Sequence, residues 1–277
     1  MEKNNTKILK YGYMPDPSKP ISTSLKKAKK CGADYIEFLA ETLYHPKEMK
    51  SKNKTIKREL TKHGMFCTIH MAHWADLGSE YSEVRKAWLD ECKKAINAAR
   101  LVGAKKFLVH ARPQSGLSML VPSYRREIIE NMTNNFCILA NYAKIRKMRL
   151  VIENENIGNV KSLSITDLLN IARRVKNAGM ALDVGHAFLG NNNKNIVEII
   201  RKLGSRIEHC HFSDNRGQED EHLPIGKGSI NYKMVVRYLK RIGYGSGDDD
   251  TITLEIFQDG DKGFAASLRK IKKLWGV

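Results

Sequence analysis

Hydrophobic and polar positions along this chain repeat in two alternating patterns. Eight short apolar runs have the length and composition of buried strands: KILKYGYM (7–14), YIEFLA (35–40), FCTIHM (66–71), KKFLVHA (105–111), RLVIENE (149–155), MALDVGHAF (180–188), IEHCHFSDN (207–215) and TITLEIF (251–257). Each is followed by a stretch with helical spacing of its apolar residues, from SLKKAKKCG after the first run to AASLRKIKKLW after the last. Gly32, Gly64, Gly103, Gly179 and Gly204 stand where helices would close before the next strand, as C-caps do. Ser164-Ile-Thr-Asp167 reads as a capping box opening the fifth helix.

Strict strand–helix alternation predicts an α/β fold, and eight units predict a (β/α)8 barrel, a TIM barrel formed as a single domain by residues 1–277. A doubly wound open sheet is the competing arrangement. It would gather ligands near one switch point, whereas here the third to eighth runs all carry candidate ligands. Neither GxGxxG nor GxxxxGK[ST] occurs, and Gly226-Lys227-Gly228 follows no strand and is a weak phosphate loop. Asp248-Asp249-Asp250 reads as a solvated acidic turn before the last strand.

Composition narrows the class. No apolar run approaches the roughly 20 residues that span a bilayer, and the first residues, MEKNNTKILKYGY, lack the apolar core of a signal peptide. The expectation is a soluble cytoplasmic protein with no membrane partner. Five widely spaced cysteines with no CxxC pair predict reduced, partly buried thiols rather than disulfides or a zinc knuckle. A net charge of +18 invites a polyanionic partner, DNA or an anionic small substrate, although Lys26, Lys27, Lys29, Lys30, Lys93 and Lys94 also fit solvated helix faces.

Nine residues able to bind a divalent cation sit at or just past the ends of these runs: His70, His110, Glu153, Asp183, His186, His211, Asp220, His222 and Glu255. A parallel barrel places all its strand ends around one mouth, so residues far apart in sequence would converge there. Imidazole with carboxylate favours zinc or manganese over magnesium. Glu153, Asp183, His211 and Glu255 would complete a four-ligand site, and the remaining five would extend it to two or three ions. Among the other candidates, His45 and His63 are expected on an exposed helix, and His73 behind the ligands. His209 is expected one layer deeper than His211 and hydrogen-bonded. Glu155 and Glu37 are expected to line the mouth as substrate contacts or orienting partners.

The segments VIEN (Glu153), LDVGHA (Asp183, His186), HCHFSDNRGQEDEHLPIGKGSINY (His211, Asp220, His222) and TLEIF (Glu255) resemble the xylose isomerase-like TIM-barrel superfamily. That superfamily includes endonuclease IV (AP endonuclease family 2) and many sugar-phosphate isomerases and epimerases, and the resemblance covers nearly the whole chain. In the isomerase branch it implies one metal on Glu153, Asp183, His211 and Glu255, with the two glutamates as acid–base catalysts. It also implies substrate contacts from His186 and Arg216, and Glu155 and Lys227 are placed with them. In the endonuclease branch it implies three zinc ions: one on His70, His110 and Glu153, one on Glu153, Asp183, His211 and Glu255, and one on His186, Asp220 and His222. The flanks differ from that branch. HMAHWADLG follows His70, FSDNRGQED follows His211, and the sixth run reads LDVGHA without a Thr-Cys pair.

The function expected is therefore a metal-dependent isomerase or epimerase of a sugar or sugar phosphate. Its glutamates would move a proton through an enediolate stabilised by the metal. The alternative is a zinc-dependent phosphodiesterase acting on abasic DNA. A non-catalytic binding barrel is the third possibility, since fold does not fix function.

Overall fold

The computed structural model describes residues 9–277 except 115, 158–160 and 248, so residues 7–8 of the first expected strand and Asp248 of the acidic turn lie outside the described residues. Eight parallel strands close into a barrel in sequence order. They are β1 (Lys10–Tyr13), β2 (Tyr35–Leu39), β3 (Phe66–His70), β4 (Lys106–His110), β5 (Arg149–Glu153), β6 (Ala178–Asp183), β7 (Ile207–Phe212) and β8 (Thr251–Leu254). β8 pairs back onto β1 with Tyr13 opposite Leu254, so the sheet has no free edge.

Three expectations about local structure are corrected. The run 180–188 is not one strand. β6 starts at Ala178 and stops at Asp183, and Val184–Phe188 is a short helix. The Asp183 carboxylate ends the strand by accepting from the His186 N–H at 2.6 Å, as an N-cap does. Gly179 is not a helix cap. The helix Ile165–Arg174 is capped by Val175, and Gly179 lies inside β6, where a Cβ would stand 2.5 Å from Glu208 Oε2. Arg149 holds that carboxylate in place. The second expected helix is broken at Lys52 into Pro46–Ser51 and Asn53–His63. In contrast, Gly64 and Gly103 take the left-handed conformation of helix C-caps, and the Ser164–Asp167 capping box is formed in both directions.

Strand side chains alternate between the helices outside and the barrel interior. The main apolar core lies between sheet and helices, with Phe38, Phe107, Ile152 and Phe212 facing outward. Leu108, Val151 and Ala181 form a separate apolar cluster on one side of the interior. The other side is polar: Glu37, Thr68, His209, Thr251 and Thr253 are all buried and bonded to one another. At its floor the Lys106 ammonium donates to Thr251 Oγ1 at 2.9 Å and to the carbonyls of Glu208 and Asp249. All five cysteines are free, and all but Cys137 are buried. Among the described residues no helix is long and apolar enough to cross a membrane.

Candidate metal centre

The nine expected ligands all lie at the C-terminal end of the barrel. His70, His110, Glu153 and Asp183 are the last residues of β3, β4, β5 and β6, and His211 is the penultimate residue of β7. Glu255 stands one residue past β8, where its N–H donates to the Phe212 carbonyl at 3.1 Å. His186 sits on the short helix begun by Asp183. A Cβ on the intervening Gly185 would meet Ser213 Oγ at 2.6 Å, which accounts for the glycine in LDVGHA. Asp220 and His222 come from the loop after β7, whose base is an antiparallel bridge between Asp214 and Leu223.

Two buried residues outside the expected set hold this framework. Asn154 clamps Asp183: its Oδ1 accepts from the Asp183 N–H at 2.9 Å and its Nδ2 donates to the Asp183 carbonyl at 3.0 Å. Asp214 accepts from the N–H groups of Gly226 at 2.7 Å and Ile230 at 3.1 Å. Gly228 packs so tightly that a Cβ would collide with the Asn215 carbonyl. The GKG segment is thus wound around a protein carboxylate, which explains its glycines without a phosphate.

Glu153 is the centre of the cluster. Its Oε2 lies 2.8 Å from His70 Nε2 and 3.9 Å from His110 Nε2, while its Oε1 lies 3.1 Å from His211 Nδ1 and 3.6 Å from His186 Nδ1. His211 Nδ1 also faces Glu255 Oε1 at 3.2 Å and Asp183 Oδ2 at 3.8 Å. Beside them Asp220 Oδ2 lies 3.2 Å from His186 Nε2 and 2.9 Å from His222 Nε2. His222 holds this place with φ +48°, a left-handed conformation rare for a residue with a side chain.

The electrostatics are those of an acid-rich cluster. Burial pushes the Asp183 carboxyl up to about 7, Glu255, Glu153 and Asp220 add like-charge repulsion, and His186 offsets only part of this. Burial also raises Glu153, but His110, His211 and His70 outweigh it and hold that carboxyl well below the usual range. At Glu155 burial is likewise overcome, by His186, His110 and Arg112, which bring the carboxyl to about 2. Burial depresses His222, yet Asp220 and Glu255 carry it up to about 9, and Asp183 and Glu155 raise His186 in the same way. Protons on imidazoles here do what divalent cations would do, and ligation displaces such protons.

The donor set fits such a cation. Glu153 Oε1 and His211 Nδ1 are buried and face each other without a hydrogen bond, and Asp220 Oδ1 is also unbonded. Donor atoms of His70, His110 and Glu153 lie within 4.8 Å of one another, as do those of Asp183, His211 and Glu255, and those of Glu153, Asp183 and His186. Nitrogen and oxygen donors in this ratio suit zinc or manganese.

The remaining expected residues fall in several places. His110, Glu155, His186, Asp220, His222 and Glu255 line a cavity of about 340 Å³ at the mouth, and so do His73, Arg112, Met14 and Phe257. Arg112, unmarked in the sequence, reaches Glu155 at 3.4 Å. Arg216 is exposed and paired with Glu221, and Lys227 lines a different depression with Lys262 and Lys270, so neither joins the mouth. His45 is exposed at a helix N-cap, whereas His63 is half-buried as the last residue of Asn53–His63, with its Nε2 buried. Glu37 does not line the mouth: it lies mid-strand, fully buried, and bonds His211 Nε2 at 2.8 Å. His209 is one layer below His211, bonded to Thr251 at 2.7 Å, and burial lowers it to about 4.

A closed (β/α)8 barrel with a histidine–carboxylate centre at the C-terminal mouth is the class defined by these features. The chain belongs to the xylose isomerase-like TIM barrel family, whose model matches residues 25–274. It is 29% identical over 243 residues to the uncharacterized protein MJ1311 of Methanocaldococcus jannaschii, covering 85% of this chain and 78% of that one. It is 21% identical over 199 residues to the probable endonuclease 4 of Halothermothrix orenii, covering 67% and 70%. Among solved structures, a D-tagatose 3-epimerase-like protein superposes with a TM-score of 0.80 at 25% identity over 97% of both chains. D-Psicose 3-epimerase of Clostridium cellulolyticum H10, solved with D-tagatose, gives a TM-score of 0.76 at 16% identity over 96% and 99%, which shows the shared fold.

Proposed function

We propose that this chain is a divalent-metal-dependent isomerase or epimerase acting on a sugar or sugar phosphate. The observation that carries this reading is the convergence of two glutamates on one atom: Glu153 Oε1 and Glu255 Oε1 stand 3.1 and 3.2 Å from His211 Nδ1, one from β5 and the other from beyond β8. The resemblance to sugar epimerases supports it.

Glu153, Asp183, His211 and Glu255 would hold the cation, which when bound supplies Lewis-acid polarisation of a carbonyl and its neighbouring hydroxyl. One glutamate takes the proton from the carbon beside the carbonyl and leaves an enediolate, and the other glutamate returns a proton. Return to the opposite face of the same carbon epimerises it, and return to the former carbonyl carbon, with the neighbouring hydroxyl proton passing to the former carbonyl oxygen, isomerises the sugar. His186 lies at the mouth to contact substrate hydroxyls. Arg112 is the one Lys or Arg among the described residues lining that cavity, so an anionic substituent would be received there. Met14, Leu39 and Phe257 give the cavity an apolar wall that keeps water off the reacting carbon.

The test is proton exchange. Metal-loaded protein is incubated in D2O with a panel of ketoses and their phosphates and followed by NMR. Loss of one C–H signal beside a carbonyl, dependent on added manganese or zinc, is expected. No exchange across the panel would remove the assignment.

A second reading, zinc-dependent cleavage at abasic sites in DNA, has its own support. Asp220 lies between His186 and His222, and His70 and His110 flank Glu153, so the donors provide adjoining places for more than one ion. The likeness to a probable endonuclease 4 and the charge of +18 agree with it. Incision of an abasic duplex by protein carrying about three zinc ions, with no sugar exchange, would establish it.

A further inference from the structure

Beneath the mouth the barrel interior contains one carboxylate for which the proposed reaction has no use. Glu37 is fully buried. Its Oε2 accepts from Thr68 Oγ1 at 2.7 Å and from Thr253 Oγ1 at 2.9 Å, and His209 Nε2 stands 3.1 Å from it. Its Oε1 faces His211 Nε2 at 2.8 Å. Below, Lys106 donates to Thr251 Oγ1 at 2.9 Å, and Thr251 contacts His209 Nδ1 at 2.7 Å. The donors therefore run in one direction, from Lys106 through Thr251 and His209 to Glu37.

A carboxylate can only accept. His211 must therefore present an N–H at Nε2, and in the neutral ring Nδ1 then carries a lone pair. That lone pair points at oxygens of Glu153, Glu255 and Asp183, at 3.1, 3.2 and 3.8 Å, with no donor among them. Four electron-rich atoms converge on one small volume, an arrangement that is stable only around positive charge. The tautomer is fixed from below, by a residue 174 positions away in the chain.

We propose that Glu37 is the positioning residue of the metal centre: it dictates that His211 offers Nδ1 to the cation, and through the imidazole it lends the site a further buried negative charge. A carboxylate behind a ligating histidine both orients the ring and makes it a stronger donor. The inference rests on the metal centre of the reading above and is independent of which reaction that centre performs.

The experiment uses chelator-stripped, full-length protein titrated with zinc or manganese against a competing chromophoric chelator. Glu37→Gln is expected to weaken binding roughly 10- to 100-fold. The melting temperature of the metal-free variant is expected to fall, because an amide cannot accept from all the donors that surround the carboxylate, so affinity is compared at a temperature where both proteins are folded. Thr68→Val, which removes a neighbouring bond to the same carboxylate, is expected to lower the metal-free melting temperature and leave affinity within about threefold. Glu37→Gln binding within threefold of the unmodified protein overturns the proposal. So does a loss of affinity equal to that of Thr68→Val.

Should Glu37→Gln fail to fold, 15N-histidine NMR of the unmodified zinc-loaded protein decides the matter. A proton on His211 Nε2 with metal on Nδ1 is expected, and the reverse assignment overturns the proposal. If the unmodified chain binds neither cation, the metal centre falls and this inference with it. If it binds and Glu37→Gln binds equally well, only the role of Glu37 falls.

Discussion

Asn154 grips Asp183 by both ends of its peptide environment, accepting from its N–H at 2.9 Å and donating to its carbonyl at 3.0 Å. Both residues are buried, so water cannot replace either bond. Asn154→Ala would leave the buried Asp183 N–H unpaired and take one donor from the carbonyl of that residue, which also caps the following helix, at roughly 1–3 kcal/mol in all. Urea midpoints should fall accordingly. Asn154→Asp should fall further, since it keeps the acceptor, loses the donor and adds a charge beside Asp183. An unaltered midpoint in Asn154→Ala would show that the clamp is dispensable.

Removing the metal should lower stability. A cation bound only by the folded chain adds about 2.7 kcal/mol when its free concentration is 100 times its dissociation constant. Differential scanning calorimetry with chelator, and again after zinc or manganese is returned, should show a reversible drop in melting temperature. Equal melting temperatures in both conditions would contradict the cation site assigned to His211 and its three carboxylate neighbours.

The floor lysine makes a prediction in the alkaline range. Burial pushes Lys106 down from 10.5 to about 8, against the opposing pull of Glu208 and Asp249. The unfolded chain thus holds the extra proton between those values, so this residue's contribution to stability rises with pH across that window. Below about 8 the cost of a buried ammonium is present in full. Relative to Lys106→Met, the unmodified protein should gain on the order of 3 kcal/mol of unfolding free energy between the two limits. Chemical unfolding of both proteins at pH 8 and 10 measures it, and parallel profiles would refute it.

Arg112, Arg216 and Lys227 separate by position. Lys227→Ala and Arg216→Ala should leave KM within about twofold, because neither side chain lines the mouth. Arg112→Ala should raise KM for an anionic substrate roughly tenfold or more, and much less for its uncharged analogue. Steady-state kinetics on a phosphorylated and an unphosphorylated ketose would compare them. Equal effects on both substrates would remove Arg112 from substrate binding.

Glu255→Gln keeps the shape of the side chain and loses its basicity. Assayed at saturating metal, it should lower kcat by about 10²- to 10⁴-fold with a smaller change in KM. Full turnover on the true substrate would end the two-glutamate mechanism.

Much of this architecture is legible in the chain because strand ends are. An apolar run that stops at His70, His110 or Glu153 marks both a strand and its last residue, and parallel closure brings those ends together. Gly179 was hidden because a glycine before a strand looks like a cap, while the reason for it, the carboxylate of Glu208, comes from the next strand. Residues 184–188 read as strand because they are apolar, and only the Asp183 cap bends them into a helix. Glu37 was misplaced for a different reason. Alternation tells which face a residue takes but not how deep it lies, and its partners belong to β3, β7 and β8. Arg112 carries no pattern at all, since it lies on a loop whose direction depends on its neighbours.

The bridge between Asp214 and Leu223 brings the two ends of the stretch 215–222 together, and the loop rests on its neighbours through the Gly190 N–H to the Gly217 carbonyl at 2.9 Å and the Phe257 N–H to the His222 carbonyl at 3.3 Å. Asp220 and His222 belong to it, while Glu153, Asp183, His211 and Glu255 belong to the barrel wall or its immediate end. One pair of donors thus hangs on a loop and the other four on the barrel frame, so the two groups answer to different parts of the sequence.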